Sequence, residues 1–144
     1  MDSKRWRLAF LLWLASASAA AHAEDWREFR RSEKIVGALN VGDAKRSGST
    51  VEIAMLLVPK AQPLAPVLVY TVMDIRADCD GRTAQVLGSQ NYAGAKAVGE
   101  RTPADPAPTR STGDGLDSLC AAAALPAPGT PTAFDFAQRA WAAR

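Results

Sequence analysis

VLVYTVMDIRADCDGRTAQVLG, residues 67–88, is the clearest structural signal in the chain, because apolar and polar side chains alternate on both sides of a turn-forming dipeptide. Asp80-Gly81 suits a two-residue type I′ turn, in which both central residues need positive φ. With Cys79 opposite Arg82, a single register sorts the side chains of the two strands. The predicted pairs are Ala77 with Ala84, Ile75 with Val86 and Met73 with Gly88 on one face, and Asp78 with Thr83, Arg76 with Gln85 and Asp74 with Leu87 on the other. Because the first set is apolar and the second mostly polar, we predict a half-buried β-hairpin; a longer irregular loop around Cys79 is the alternative.

Further strands are predicted on both sides of this hairpin. Residues 35–41 and 50–58 alternate in the same way, and Gly48 in the turn between them offers positive φ. Residues 91–98 predict a short strand at a sheet edge, and the proline-containing residues 99–110 predict an extended loop.

Three segments favour helices. Trp26 and Phe29, three residues apart, suit a helical turn within residues 24–33 that packs both aromatics onto the sheet; an exposed aromatic-basic patch with Arg27, Arg30 and Arg31 is the alternative. Residues 111–124 predict a helix capped by Ser111 or Thr112, with an apolar stripe that contains Cys120. After a Pro-rich linker, residues 132–143 predict an amphipathic helix with Thr132 near its start, which either docks on the domain or folds onto a partner. The expected fold class is α+β, mainly β: a small antiparallel meander sheet flanked by N-terminal and C-terminal helices.

The N-terminus has the three parts of a secretory signal. A basic stretch is followed by the apolar run LAFLLWL at residues 8–14 and by Ala21-His22-Ala23, an A-x-A cleavage site. The apolar run is too short for a membrane span, so an uncleaved anchor is the weaker alternative. The predicted organisation is a signal peptide at 1–23, a β domain at 24–125, and a linker with its helix at 126–144. We expect the protein to be periplasmic, secreted or on the cell surface, with no transmembrane segment after cleavage.

Cleavage would change the chemistry that is available. The signal holds three of the 17 Lys and Arg residues and one of the 15 Asp and Glu residues, which leaves 14 of each. A nearly neutral chain lacks the basic footprint of a nucleic-acid-binding protein. The single histidine, His22, would leave with the signal, which excludes Ser-His-Asp catalysis and His-ligated zinc in the remainder.

Cys79 and Cys120 are an even pair in a chain expected to be exported, which predicts a disulfide; free thiols are the alternative. The bond would join two residues that are 41 positions apart in the sequence and so close a long loop. It would pin the predicted C-terminal helix to the tip of the central hairpin.

Several features together resemble the bacterial surface-adhesin protein E family. They are Trp26, the Lys45–Gly48 turn, Tyr70, the run Asp78–Arg82 and a closing helix with Cys120. The resemblance spans about residues 26–124 and implies an antiparallel sheet flanked by helices, with Cys79 bonded to Cys120. Members of that family adhere to host matrix proteins and have been linked to haem binding and dimer formation. A lysine-rich adhesive stretch, a histidine to ligate haem and a lipid-acceptor cysteine all lack counterparts in residues 24–144.

Three functional hypotheses follow. The first is a non-enzymatic binding protein without a cofactor or metal, with a protein partner in the envelope or host matrix, for which Arg76, Arg82 and Tyr92 are the candidate contacts. Arg82 also has a structural interpretation, an ion pair with Asp78 or Asp80. The second is an envelope-assembly accessory that pairs through a sheet edge, with homodimer formation as one form. The third is a small hydrolase that uses Asp74, Asp78 and Asp80.

Overall fold

The computed structural model describes residues 23–142, and the predicted signal peptide lies almost wholly outside them. Within these residues the chain forms one antiparallel sheet and two helices. The strands are β1 (Trp26–Arg31), β2 (Ile35–Asn40), β3 (Lys45–Ser47), β4 (Thr50–Pro59), β5 (Val69–Asp78), β6 (Thr83–Ala93), β7 (Lys96–Thr102) and β8 (Thr109–Arg110). The helices are α1 (Asp114–Cys120), followed by a 3₁₀ turn at Ala122–Ala124, and α2 (Ala133–Ala142).

The sheet order is β1-β2-β4-β5-β6-β7, while β3 pairs with β4 and β8 pairs with β6. Strands β4 to β7 form the predicted meander. The antiparallel, mainly β fold class is therefore confirmed, as is a helix that follows the sheet.

The prediction of an N-terminal helix is wrong, because residues 26–31 form the edge strand β1. A β-bulge between Glu28 and Arg30 changes the register against β2. Trp26 packs in one hydrophobic cluster, whereas Phe29 packs against the other. The two aromatics thus serve opposite faces of a sheet, and their three-residue spacing only imitates a helical face.

The sheet carries a hydrophobic cluster on each face. Along β4, Val51 and Ile53 belong to the cluster under α1, while Leu56 and Val58 belong to the cluster under α2. Alternation along a strand places these two sets on opposite sides. We call the two sides the α1 face and the α2 face.

Helix α2 docks on the sheet. Phe136, Ala137 and Ala140 are buried on the α2 face against Trp26 and Tyr70. The Thr132 hydroxyl accepts a hydrogen bond from the Asp135 N–H at 3.0 Å, as the capping spacing predicts. The preceding segment is also fixed, since Thr130 and Trp26 exchange two backbone hydrogen bonds of 2.9 Å.

The central hairpin has the predicted register near its tip. Asp78–Thr83, Ala77–Ala84, Arg76–Gln85 and Ile75–Val86 pair as expected. Beyond them an irregularity after Asp74 shifts the register, so Asp74 pairs with Gly88 and Met73 with Ser89; both predicted pairs at this point are wrong.

The prediction of a two-residue type I′ turn is also wrong. Residues 79–82 form a four-residue loop in which the positive φ belongs to Arg82, at 56°, and not to Asp80 or Gly81. The Asp78 carboxylate accepts hydrogen bonds from the backbone N–H groups of Asp80 and Gly81, at 3.2 and 3.1 Å. An aspartate capping its own turn replaces the two-residue turn.

Three further boundaries differ from the prediction. Residues 91–93 extend β6, and the edge strand β7 begins only at Lys96, after a turn in which Gly94 has φ 61°. β7 and β8 occupy parts of the expected loop at 99–110. Helix α1 begins at Asp114 after Gly113, so Ser111 and Thr112 do not cap it.

Candidate functional site: an apolar groove beside helix α1

The predicted disulfide joins Cys79, just past the end of β5, to Cys120 at the end of α1, with the two Cα atoms 5.9 Å apart. Two polar contacts accompany it. The Arg82 guanidinium pairs with Asp117 of α1, and the Arg46 guanidinium donates to the Cys120 carbonyl. Leu116 and Leu119 on the inner side of α1 are buried. The helix is thereby held over the tip half of the sheet.

The three predicted contact residues lie apart. Arg76 is ion-paired with Glu52 on β4 at 2.7 Å, and Arg82 is paired with Asp117 at the hairpin tip. Tyr92 stacks on Tyr70, with ring centroids 5.2 Å apart and planes 6° from parallel. Because Tyr70 lies six residues from Arg76 along β5, Tyr92 is about 20 Å from Arg76. The structural interpretation of Arg82 is correct in kind, although its partner is Asp117 and neither Asp78 nor Asp80.

Tyr70 is the buried partner in the tyrosine stack. Burial, followed by the proximity of Tyr92 and Glu24, raises the pKa of Tyr70 to about 12. The phenol therefore stays protonated at physiological pH and serves as a packing group.

Two carboxylates that the hydrolase hypothesis names, those of Asp74 and Asp78, form ion pairs or hydrogen bonds that stabilise the fold. Asp74 is paired with Arg101 on β7. Asp78 also accepts a 3.0 Å hydrogen bond from the Ser49 hydroxyl. The N–H of Gly81, the Ser49 hydroxyl and the N–H of Asp80 hold the pKa of Asp78 below its usual value. No cluster of three or more metal-ligating side chains occurs within residues 23–142.

An apolar groove of about 310 Å³ lies on the α1 face, beside α1 and across the strands. It exists because α1 has seven residues and, at about 10 Å in length, cannot cover the whole face. The floor and walls of the groove are apolar. The partly exposed lining side chains include Phe29, Ile35, Met55, Leu57 and Val86, and the buried ones are Ile75, Leu116 and Leu119.

Phe29 forms the wall at the β1 end. The bulge makes it the extra residue in β1, and its ring lies directly over Gly37. A Cβ on Gly37 would lie 2.8 Å from the Phe29 ring. The glycine at position 37 therefore lets the aromatic ring settle on the sheet surface at the mouth of the groove.

Polar groups line both ends of the groove. Arg30 lies at the β1 end, is exposed, and forms no ion pair within the described residues. Gln85, Asp105, Thr109 and Ser111 line the other end, beyond β6. The Gln85 amide donates to the Asp105 carbonyl at 2.8 Å, and the Asp105 N–H donates to the Val86 carbonyl at 2.9 Å. These bonds fix the loop, while the Asp105 carboxylate makes no ion pair with any described residue.

The two sheet edges carry features that oppose strand pairing. β7 is exposed throughout, contains charged residues at positions 96, 100 and 101, and is irregular around Gly99, whose φ is 72°. β1 is bulged and partly covered by Thr130. Bulges, charges and covering segments all protect an edge from pairing with another chain.

The groove could not be predicted from local sequence patterns, because its walls come from six strands, one helix and loop residues. The sequence does indicate that residues 51, 53, 55 and 57 form one apolar face of a strand, and such a face requires a covering layer.

No described helix is both long and apolar enough to cross a membrane. Comparisons of the chain with protein-family models, characterised proteins and solved structures gave no match.

Proposed function

We propose that this protein is an exported, non-enzymatic binding protein that holds a protein partner of the envelope or host matrix in the groove beside α1. The observation that carries the proposal is the half-covered α1 face, where apolar side chains of β2, β4 and β6 remain partly exposed. Exposed apolar surface in a concave site is typical of binding sites. The proposal includes the resemblance to surface-adhesin protein E, as a shared role in surface interaction.

Two features support export. Residues 1–23 have the pattern of a secretory signal, and the chain carries a disulfide between Cys79 and Cys120. Structural disulfides persist mainly in oxidising compartments, such as the periplasm and the cell exterior.

The contacts of the carboxylates favour binding over hydrolysis. A catalytic pair needs one carboxyl with a raised pKa beside one that stays ionised. Asp78 has a lowered pKa and caps a turn, and Asp74 is tied to Arg101. The protected edges likewise weigh against the rival proposal of an assembly factor that pairs through an edge strand.

Site-specific photo-crosslinking in cells tests this proposal. A photoreactive residue at position 57, on the groove floor, should form an adduct with a partner protein. The same residue at position 76, on the α2 face, should not. Ile35→Glu should abolish the adduct at position 57, because it places a charge on the groove floor. Equal adducts at both positions, or none at position 57, would contradict the proposal.

A further inference from the structure

The length of the groove limits what it can hold. Its lining residues come in order from β1, β2, β4, β5, β6 and β8, so it spans five inter-strand spacings. At about 4.8 Å for each spacing, this is about 24 Å. An extended peptide rises about 3.3 Å per residue, so about seven residues would span the groove.

Both ends of the groove are polar, so a simple acyl chain fits it poorly. A fatty acid needs one polar end for its carboxylate and one apolar end for its methyl group. Here the β1 end carries Arg30, while the opposite end carries a carboxylate and two hydroxyls, from Asp105, Thr109 and Ser111. A ligand with an apolar middle and two polar ends fits this arrangement better.

The charges at the two ends have opposite signs. Arg30 is the cation among the lining residues, and Asp105 is the anion. Neither forms an ion pair within the described part of the chain. Asp114 lines the adjoining hollow beyond Arg30 and not the groove itself. A ligand therefore meets a positive charge at β1 and a negative charge beyond β6.

We propose that the groove binds an extended apolar protein segment of about seven residues, with an acidic group at the Arg30 end and a basic group at the Asp105 end. This inference rests on the proposed function and names the chemistry of its partner. The apolar middle of the segment covers Met55 and Leu57, and the end charges fix its direction across the strands.

A display library of random seven-residue peptides tests the proposal, with the purified full chain as the target. The matched targets are Arg30→Glu and a control, Arg139→Glu, which makes the same charge change at an exposed position of α2. Wild type and Arg139→Glu should enrich peptides with an apolar middle, an acidic residue at one end and a basic residue at the other. Arg30→Glu should enrich basic residues at both ends.

Titration of a selected peptide gives the quantitative arm. Its Kd should rise about fivefold or more on Arg30→Glu, and replacing its acidic residue by lysine should restore binding to that variant. Enrichment without a charge bias, or a Kd unchanged by Arg30→Glu, would overturn the assignment of the ends. A labelled fatty acid that displaces the peptide with higher affinity would assign the groove to an acyl ligand instead. If no peptide is enriched while the adduct at position 57 persists, this inference fails and the proposed function stands.

Discussion

At the scale of single residues, Asp78 organises the tip of the central hairpin. Its carboxylate accepts hydrogen bonds from the Asp80 and Gly81 N–H groups and from Ser49. Its pKa is lowered in the folded state, so its contribution to stability is present above the unfolded pKa of about 4 and is lost as pH falls through the folded value. Asp78→Asn should therefore reduce the loss of stability between pH 5 and pH 2, measured by urea denaturation. Asp80→Asn is the control, and an equal effect of both variants would contradict the role of Asp78.

Gly37 is a second residue whose role follows from a close approach. An alanine there would place its Cβ 2.8 Å from the Phe29 ring, which must then shift. We expect Gly37→Ala to destabilise the protein by about 1–3 kcal/mol, as overpacking does. Gly115→Ala is the matched control, because its Cβ meets nothing within 4 Å and alanine favours a helix. Urea denaturation of both variants decides the point; equal stability of Gly37→Ala and wild type would show that the ring is not constrained.

At the scale of elements, α1 depends on the disulfide. The bond between Cys79 and Cys120 spans 41 residues, for which the chain-entropy model gives about 4 kcal/mol. The double variant Cys79→Ala/Cys120→Ala should lose about this much stability in urea denaturation. Arg82→Met removes only the exposed ion pair with Asp117 and should lose less than about 1 kcal/mol. Comparable losses in the two variants would contradict the dominant role of the disulfide.

Helix α2 stabilises the opposite face through Phe136, which is 7% exposed. Phe136→Ala should cost about 3–5 kcal/mol, since it leaves a cavity against Trp26 and Tyr70. Exposed Gln138 on the same helix is the control, and Gln138→Ala should change stability by less than about 0.5 kcal/mol. An unchanged melting temperature for Phe136→Ala would mean that α2 does not dock in solution.

At the scale of the whole molecule, the sequence predicts what depends on local alternation and fails where distant segments meet. The register from Asp78 to Ile75 follows from alternation, and the pairing of Cys79 with Cys120 from cysteine chemistry. The strand β1 could not be predicted, because a bulge turns Trp26 and Phe29 to opposite faces. The observed turn depends on hydrogen bonds that the Asp78 carboxylate accepts from the backbone N–H groups of Asp80 and Gly81, and the Asp80-Gly81 dipeptide by itself does not indicate them.

The candidate site lies beyond local patterns for the same reason. The groove joins β1 to a loop near residue 105, about 75 residues later in the chain. Arg76, Arg82 and Tyr92 stand out in the sequence as polar or aromatic side chains, yet the fold gives them partners in Glu52, Asp117 and Tyr70. The sequence offers Arg30 only as part of a possible exposed patch with Arg27 and Arg31, and nothing local distinguishes it from them. In the fold it lies at the end of the groove and forms no ion pair with any described residue.

We propose that the partner occupies the α1 face. Amide chemical shifts of the ¹⁵N-labelled protein, recorded while a selected seven-residue peptide is added, test this placement. The predicted result is a set of shifts that saturates and is confined to the groove, at Phe29, Ile35, Leu57 and Val86. Shifts centred on the α2 face, around Tyr92 and Phe134, would contradict this placement, as would a peptide that binds without shifting the groove amides.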